Sequence, residues 1–180
     1  MKHIAFALCL AAGPVLAQSE EADPHGSLNP QELTWQSYVD RAERGETGMV
    51  ICAMGYPMTK SGDHASARLI LEACAEDGYT AAMTWMSQLD NNGLGGDYDP
   101  DAAADWNRRA AEAGDPVGQF NHGLDLIRGH GIARDEARGR ALVDQAAERG
   151  NRTAQRLRVA DYDPAAVTPD ADDWKYAPLF

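Results

Sequence analysis

Residues 78–113 and 114–149 are one 36-residue pattern written twice. Set one above the other, Gly78 falls on Gly114, Ala82 on Gly118, Ser87 on Gly123, Gly93 on Gly129 and Gly95 on Gly131. Further along, Asp99 falls on Asp135, Trp106 on Leu142, and Ala110-Ala111 on Ala146-Ala147. A fixed period of this length marks a repeat array, in which each unit is a supersecondary element that buries its apolar face only against its neighbours. Stacked units present extended surfaces, and such surfaces bind partners.

The pattern fades in both directions from this pair. Ala67, Ile70, Cys74 and Ala75 stand 36 residues before Ala103, Trp106, Ala110 and Ala111, so 45–77 is another unit, three residues short in its internal loop. The run "YVDRAERG" (38–45) matches "LVDQAAERG" (142–150) with one alanine removed, which makes 29–44 the second half of a worn unit. Residues 150–160 supply a first helix with no second, and Val159 stands where the other units have Ser87 and Gly123. This last helix is expected to cap the array.

Each clear unit is expected to be a helical hairpin. First helices are placed at about 80–91 and 116–128, and second helices at about 100–113 and 135–149. Asp99-Pro100 is an N-cap followed by proline at the first helical position. Upstream, Asn29, Pro30 and Glu32 predict a helix from 29 to about Arg44, with Leu33, Tyr38 and Ala42 buried. Gly48 to Pro57 is apolar almost all round and reads as a buried helix, followed by a loop from Met58 to Gly62. Asp63 then caps a helix ending near Asp77.

These residues resemble Sel1-like repeats, relatives of the tetratricopeptide repeat. The second clear unit carries Gly118, His122-Gly123, Gly129-His130-Gly131-Ile132, Asp135, Gly139, Leu142, Ala146-Ala147 and Gly150. The first carries Ala82, Met86-Ser87, Gly93-Leu94-Gly95-Gly96, Asp99, Ala103, Trp106, Ala110-Ala111 and Gly114. The resemblance covers 45–160 well and 29–44 loosely. It implies an all-α solenoid of antiparallel helix-turn-helix units over 29–160, acting as a protein-interaction module. The packing is physically sensible. Small residues at 82, 118 and 154 let helices cross closely, and the Gly-x-Gly turn permits positive φ where the chain reverses.

The ends read differently. Residues 1–17 look like a secretory signal: Lys2 and His3, an apolar run Ile4 to Ala12, the Gly13-Pro14 break, and Val15-Leu16-Ala17 before cleavage at Gln18. The run is too short to span a bilayer. Residues 18–28 read as a disordered lead-in. The expected location is therefore the periplasm or the exterior. Removing the signal leaves Cys52 and Cys74, which in an oxidising compartment suggest a disulfide, the alternative being two buried thiols. Antiparallel packing of the helices that carry them would allow the bridge. The Cys-bearing hairpin also looks like the secreted, cysteine-rich branch of the same family, where a Cys late in the second helix pairs with one in the first.

The net charge is −12, which argues against nucleic acid as a partner. That charge is uneven. Residues 128–158 hold eight Arg, whereas 161–173 hold five Asp and no base. Residues 161–180 read as an acidic, extended tail that is either solvated or folded back over the Arg-rich unit.

Catalytic motifs are missing. There is no Gly-x-Ser-x-Gly, no His-Glu-x-x-His and no phosphate loop, and His64, His122 and His130 lack metal-ligand spacing. Asp90, Asn92, Gly95 and Asp101 imitate four positions of a calcium loop. Leu94 stands where an oxygen ligand is needed, and the longer Glu is missing at the end. No catalytic residue, metal or cofactor is assigned, and the chain is expected not to be an enzyme. Binding is the better expectation. With 82, 86 and 89 packed inward, one first helix presents Trp85, Gln88 and Asn92, and the next presents Asn121, Leu124 and Arg128. These are the candidate partner contacts for a protein or peptide on a concave face, with Trp85 either an anchor or simply core. An envelope glycan-binding or hydrolytic protein and a secreted signalling effector are the alternatives.

Overall fold

A computed structural model describes residues 34–167, so the signal, the lead-in and most of the tail lie outside the described residues. Eight α-helices follow one another: α1 (Trp35–Glu43), α2 (Met49–Ser61), α3 (His64–Glu76), α4 (Thr80–Asn92), α5 (Pro100–Glu112), α6 (Pro116–Arg128), α7 (Glu136–Glu148) and α8 (Arg152–Val159). A short 3₁₀ turn, Pro164–Ala166, closes the described chain, which contains no strand. The helices α2/α3, α4/α5 and α6/α7 pair as hairpins, and α3 packs on α4, α5 on α6, and α7 on α8. This is the all-α solenoid that the period implies.

Local signals set these boundaries. The carboxylates of Asp63, Asp99, Asp115 and Asp135 accept backbone N–H groups in the first turns of α3, α5, α6 and α7, satisfying donors that a helix start leaves orphaned. Prolines open α5 and α6, where their missing N–H costs nothing. Gly93 and Gly129 end α4 and α6 in the left-handed conformation. Gly95 and Gly131 then fold each loop onto the preceding unit. A Cβ on Gly95 would lie 2.7 Å from the His64 carbonyl oxygen at the start of α3, and one on Gly131 would strike the Pro100 carbonyl at the start of α5. Each Gly-x-Gly lobe thus rests on the second helix of the unit before it.

Small residues also set how closely units approach. Ala82 and Gly118 occupy one repeat position, and a Cβ on Gly118 would come within 2.5 Å of the Ala110 methyl. Larger side chains fill the remaining space in two clusters. One, over α1 to α5, holds Ile51, Met58, Ile70, Leu71, Met86, Leu89 and Trp106. The other, over α6 to α8, holds Phe120, Ile127, Val143, Leu157 and Val167. Burying one such aliphatic or aromatic side chain contributes about 1.5–3 kcal/mol. Between the clusters lies a buried polar seam of Asn107, Gln119, His122 and Asp125.

Four expectations need correction. The first described helix begins at Trp35, capped by Thr34 in an extended conformation, so it does not run through from Asn29; Asn29, Pro30, Glu32 and Leu33 lie outside the described residues. Helix α2 does not stop at Pro57 but continues to Ser61 with the proline inside it, because Met58 is wholly buried one residue later and Gly62 is the left-handed cap. The shortfall in 45–77 is not one three-residue deletion. The α2–α3 link is Gly62-Asp63 alone, five residues shorter than the seven-residue links 93–99 and 129–135, while two extra residues precede α2. Nor is α2 buried all round: Met49 is 79% exposed, Val50 65% and Tyr56 50%.

Candidate interaction surface

The first helices of successive units adjoin, α2 with α4 and α4 with α6. Their composition separates them from the rest of this acidic chain. Among α2, α4, α6 and α8 the only carboxylates are Asp90 and Asp125, both buried, against the cations Lys60, Arg128, Arg152, Arg156 and Arg158. The other four helices carry ten carboxylates and six guanidinium groups. The described first helices therefore present cations and no exposed carboxylate.

At one end of this row stands an aromatic pair. Tyr56 of α2 and Trp85 of α4 meet edge to face, centroids 5.1 Å apart at 60°. Lys60 Nζ lies over both rings, 5.7 Å from the tyrosine centroid and 5.5 Å from the tryptophan. Edge-to-face packing brings the positive rim of one ring to the negative face of the other, and an ammonium over a ring face adds about 0.5–1 kcal/mol at an exposed site. Trp85 is half-buried, packed on the first cluster yet open on one side. It is core and surface at once.

Gln88 and Asn92 continue along α4. Gln88 is half-buried, and the exposed Asn92 amide donates to the Gln88 carbonyl at 2.8 Å. On α6, Asn121 turns towards the seam. Its amide donates to Asn107 Oδ1 at 3.4 Å, and Asn107 Nδ2 donates in turn to Asp125 Oδ2 at 2.8 Å. Leu124 packs partly on the second cluster, and Arg128 is exposed. The structure thus brings Trp85 together with two residues that the period did not single out, Tyr56 and Lys60. It keeps the α4 and α6 sets apart: among the described residues Trp85, Gln88 and Asn92 have no hydrogen bond to Asn121 or Leu124. Besides the Asn107 bonds, the two units are joined by His130, whose Nε2 lies 2.6 Å from Asn91 Oδ1.

The seam behind α6 is electrostatically costly. Burial pushes Asp125 up to about 6, opposed by the Asn107 hydrogen bond and the Arg128 charge. Burial also holds Arg128 below its ordinary value, with Asp125 pulling it back up. His122 is buried with neither ring nitrogen hydrogen-bonded, and burial, then Arg138 and Arg108, push it down. Of these groups only Arg128 reaches the exposed row; Asp125 and His122 are buried behind it. Asp90 of the calcium-like loop is committed elsewhere, as the buried ion-pair partner of Arg68, and the described residues contain no grouping suited to a metal ion.

Cys52 of α2 and Cys74 of α3 form a disulfide with Cα atoms 5.8 Å apart, stapling the hairpin that lacks a Gly-x-Gly lobe. No described helix is long and apolar enough to cross a membrane.

No protein-family model matches the sequence, and no curated protein matches it significantly. Solved structures do. A Sel1 repeat protein from Oxalobacter formigenes is 25% identical over 70% of this chain and 96% of its own, with a TM-score of 0.56. A protective antigen of uropathogenic Escherichia coli with an SLR fold is 22% identical over 74% of this chain, with a TM-score of 0.56, and this chain spans only 31% of it. Cysteine rich protein B of Helicobacter pylori is 20% identical, covering 66% of this chain and 87% of its own, with a TM-score of 0.52.

Proposed function

This chain folds as a Sel1-like repeat protein, and from that premise we propose that it is a non-catalytic interaction scaffold binding a protein or peptide across its first helices, outside the cytoplasm. The observation that carries the reading is the row itself. In a chain of net charge −12, the exposed faces of α2, α4 and α6 carry Lys60 and Arg128, the Tyr56–Trp85 pair, Leu124, and the amides of Gln88, Asn92 and Asn121, with no exposed carboxylate. Such a face suits a partner segment that combines an apolar or aromatic anchor with acidic groups. A partly exposed aromatic pair supplies affinity at little entropic cost, while the neighbouring cations set register and association rate. The Cys52–Cys74 disulfide and the signal-like residues 1–17 support a compartment outside the cytoplasm.

The test is a pull-down from periplasmic extract with the protein as the cell delivers it, beside Trp85→Ala/Arg128→Ala and Lys60→Glu variants whose helicity is checked by circular dichroism. A partner retained by the wild type and lost by both folded variants supports the reading. If no protein is enriched, or both variants bind as well as the wild type, the face is misassigned. Envelope glycans are then the next ligands to try.

A further inference from the structure

Helix α8 takes the first-helix position of a unit, no second helix follows it among the described residues, and its outer side is open. The repeat fixes what a second helix would cover. On α6, Gln119, Phe120 and Gly123 are all buried, and a Cβ on Gly123 would sit 2.8 Å from the Gly139 carbonyl of α7. Thirty-six residues on, the same positions of α8 are Gln155, Arg156 and Val159, all exposed, with Val159 88% so. An open hollow of about 700 Å³ lies along this side, lined by Arg152, Thr153, Gln155, Arg156, Val159 and Ala160.

The chain beyond α8 doubles back onto the array rather than leading away from it. Asp161 and Tyr162 turn it with φ of 52° and 61°, the 3₁₀ turn packs on α6 and α8, and Val167 is buried in the second cluster. The next thirteen residues, 168–180, read TPDADDWKYAPLF. Their chemistry complements the open side: the segment carries the acids Asp170, Asp172 and Asp173 and the aromatics Trp174, Tyr176 and Phe180, while α8 carries Arg152, Arg156, Arg158 and the exposed Val159. Among the described residues neither Arg152 nor Arg158 forms an ion pair. Reach is ample, since thirteen extended residues span about 43 Å and an eight-residue helix is about 12 Å long.

We propose that the C-terminal segment 168–180 of the same chain occupies the open side of α8, with Asp170, Asp172 and Asp173 against its arginines and Trp174 on Val159, in the seat that a second helix takes in the earlier units. The segment is a built-in cap. It shields the apolar end of the array from a second copy, and it does so independently of the partner proposed for α2, α4 and α6.

Hydrogen exchange with mass spectrometry on the protein as the cell delivers it tests this, with a synthetic 168–180 peptide as the free reference. Amides of 170–180 are expected to exchange at least ~10-fold more slowly in the protein than in the free peptide. Val159→Asp combined with Arg152→Glu and Arg158→Glu should return them to the free rate while α1–α7 keep their protection. Trp174→Ala, which leaves α8 untouched, should do the same. Adding Asp170→Lys, Asp172→Lys and Asp173→Lys to the arginine reversals, with Val159 retained, should restore protection. Wild-type amides exchanging at the free rate overturn the proposal. So does protection that is lost on dilution as a dimer dissociates in sedimentation, which would put a second copy in the seat.

Discussion

Gly123 and Gly139 face each other across the α6–α7 crossing, each occupying the space of the other's missing side chain. A Cβ on Gly123 would lie 2.8 Å from the Gly139 carbonyl oxygen, and a Cβ on Gly139 2.6 Å from that of Gly123. The α4–α5 crossing has Ser87 and Ala103 at the same positions, so the two hairpins are not packed alike. Gly139→Ala forces backbone apart, and the expected cost is about 1–3 kcal/mol, read as a lower denaturation midpoint at unchanged slope. Ala103→Gly, at the looser crossing, should cost less, about 1 kcal/mol from helix propensity.

The disulfide closes a loop with a sequence separation of 22. Replacing both Cys52 and Cys74 with alanine is expected to lower stability by about 3 kcal/mol, mainly by freeing the unfolded chain. Equilibrium urea unfolding checks this. The loss should appear first as faster exchange in α1–α3, since the clusters beyond the seam do not depend on that staple.

The seam gives two opposed pH dependences. Asp125, raised from 3.8 to about 6 by burial, keeps its proton in the folded state up to about that pH, while the unfolded chain ionises earlier. Its penalty is therefore absent below about pH 4 and complete above about pH 6, amounting to roughly 2–3 kcal/mol at most. His122 is lowered by burial, so its penalty is absent above the unfolded value of 6.5 and grows as pH falls below it. Asp125→Asn, which keeps an oxygen to accept from Asn107, should stabilise the protein at pH 7 and leave it unchanged at pH 4. His122→Met, matching Met86 one repeat earlier, should stabilise most near pH 5. Unfolding titrations at pH 4, 5 and 7 separate the two.

Much of this architecture could be read from the chain. The glycine and aspartate spacings placed α3 to α7 within one or two residues, because caps and left-handed turns depend on local chemistry alone. Pro57 misled for the opposite reason. A proline is a weak stop when the residue after it, here Met58, fills the core. Tyr56 and Lys60 went unnoticed because the α2–α3 link is five residues short. Aligning Gly62 with Gly93, rather than Gly45 with Gly78, is what puts α2 in register with α4. The seam was hidden too, since Asn107, His122 and Asp125 come from two helices and only packing brings them together.

Arg68 reaches from α3 to the buried carboxylate of Asp90 on α4 and towards the Leu94 carbonyl at 3.4 Å. Arg68→Ala strands that carboxylate, at an expected cost of about 3–5 kcal/mol. Arg68→Met with Asp90→Asn should recover most of the loss in the same unfolding assay. Recovery would show that the pair's role is to avoid a stranded charge rather than to add stability.

The Gly-x-Gly lobes make the array directional. Each later hairpin leans back on the one before it, through Gly95 on His64 and Gly131 on Pro100, whereas the hairpin of α2 and α3 has no lobe to lean with. The hairpin closed by Cys52–Cys74 is thus the platform of the folded array: it supports the lobe of its neighbour and rests no lobe of its own on anything, so loosening it takes the footing from Gly95, while loosening α6–α7 leaves the earlier footings intact.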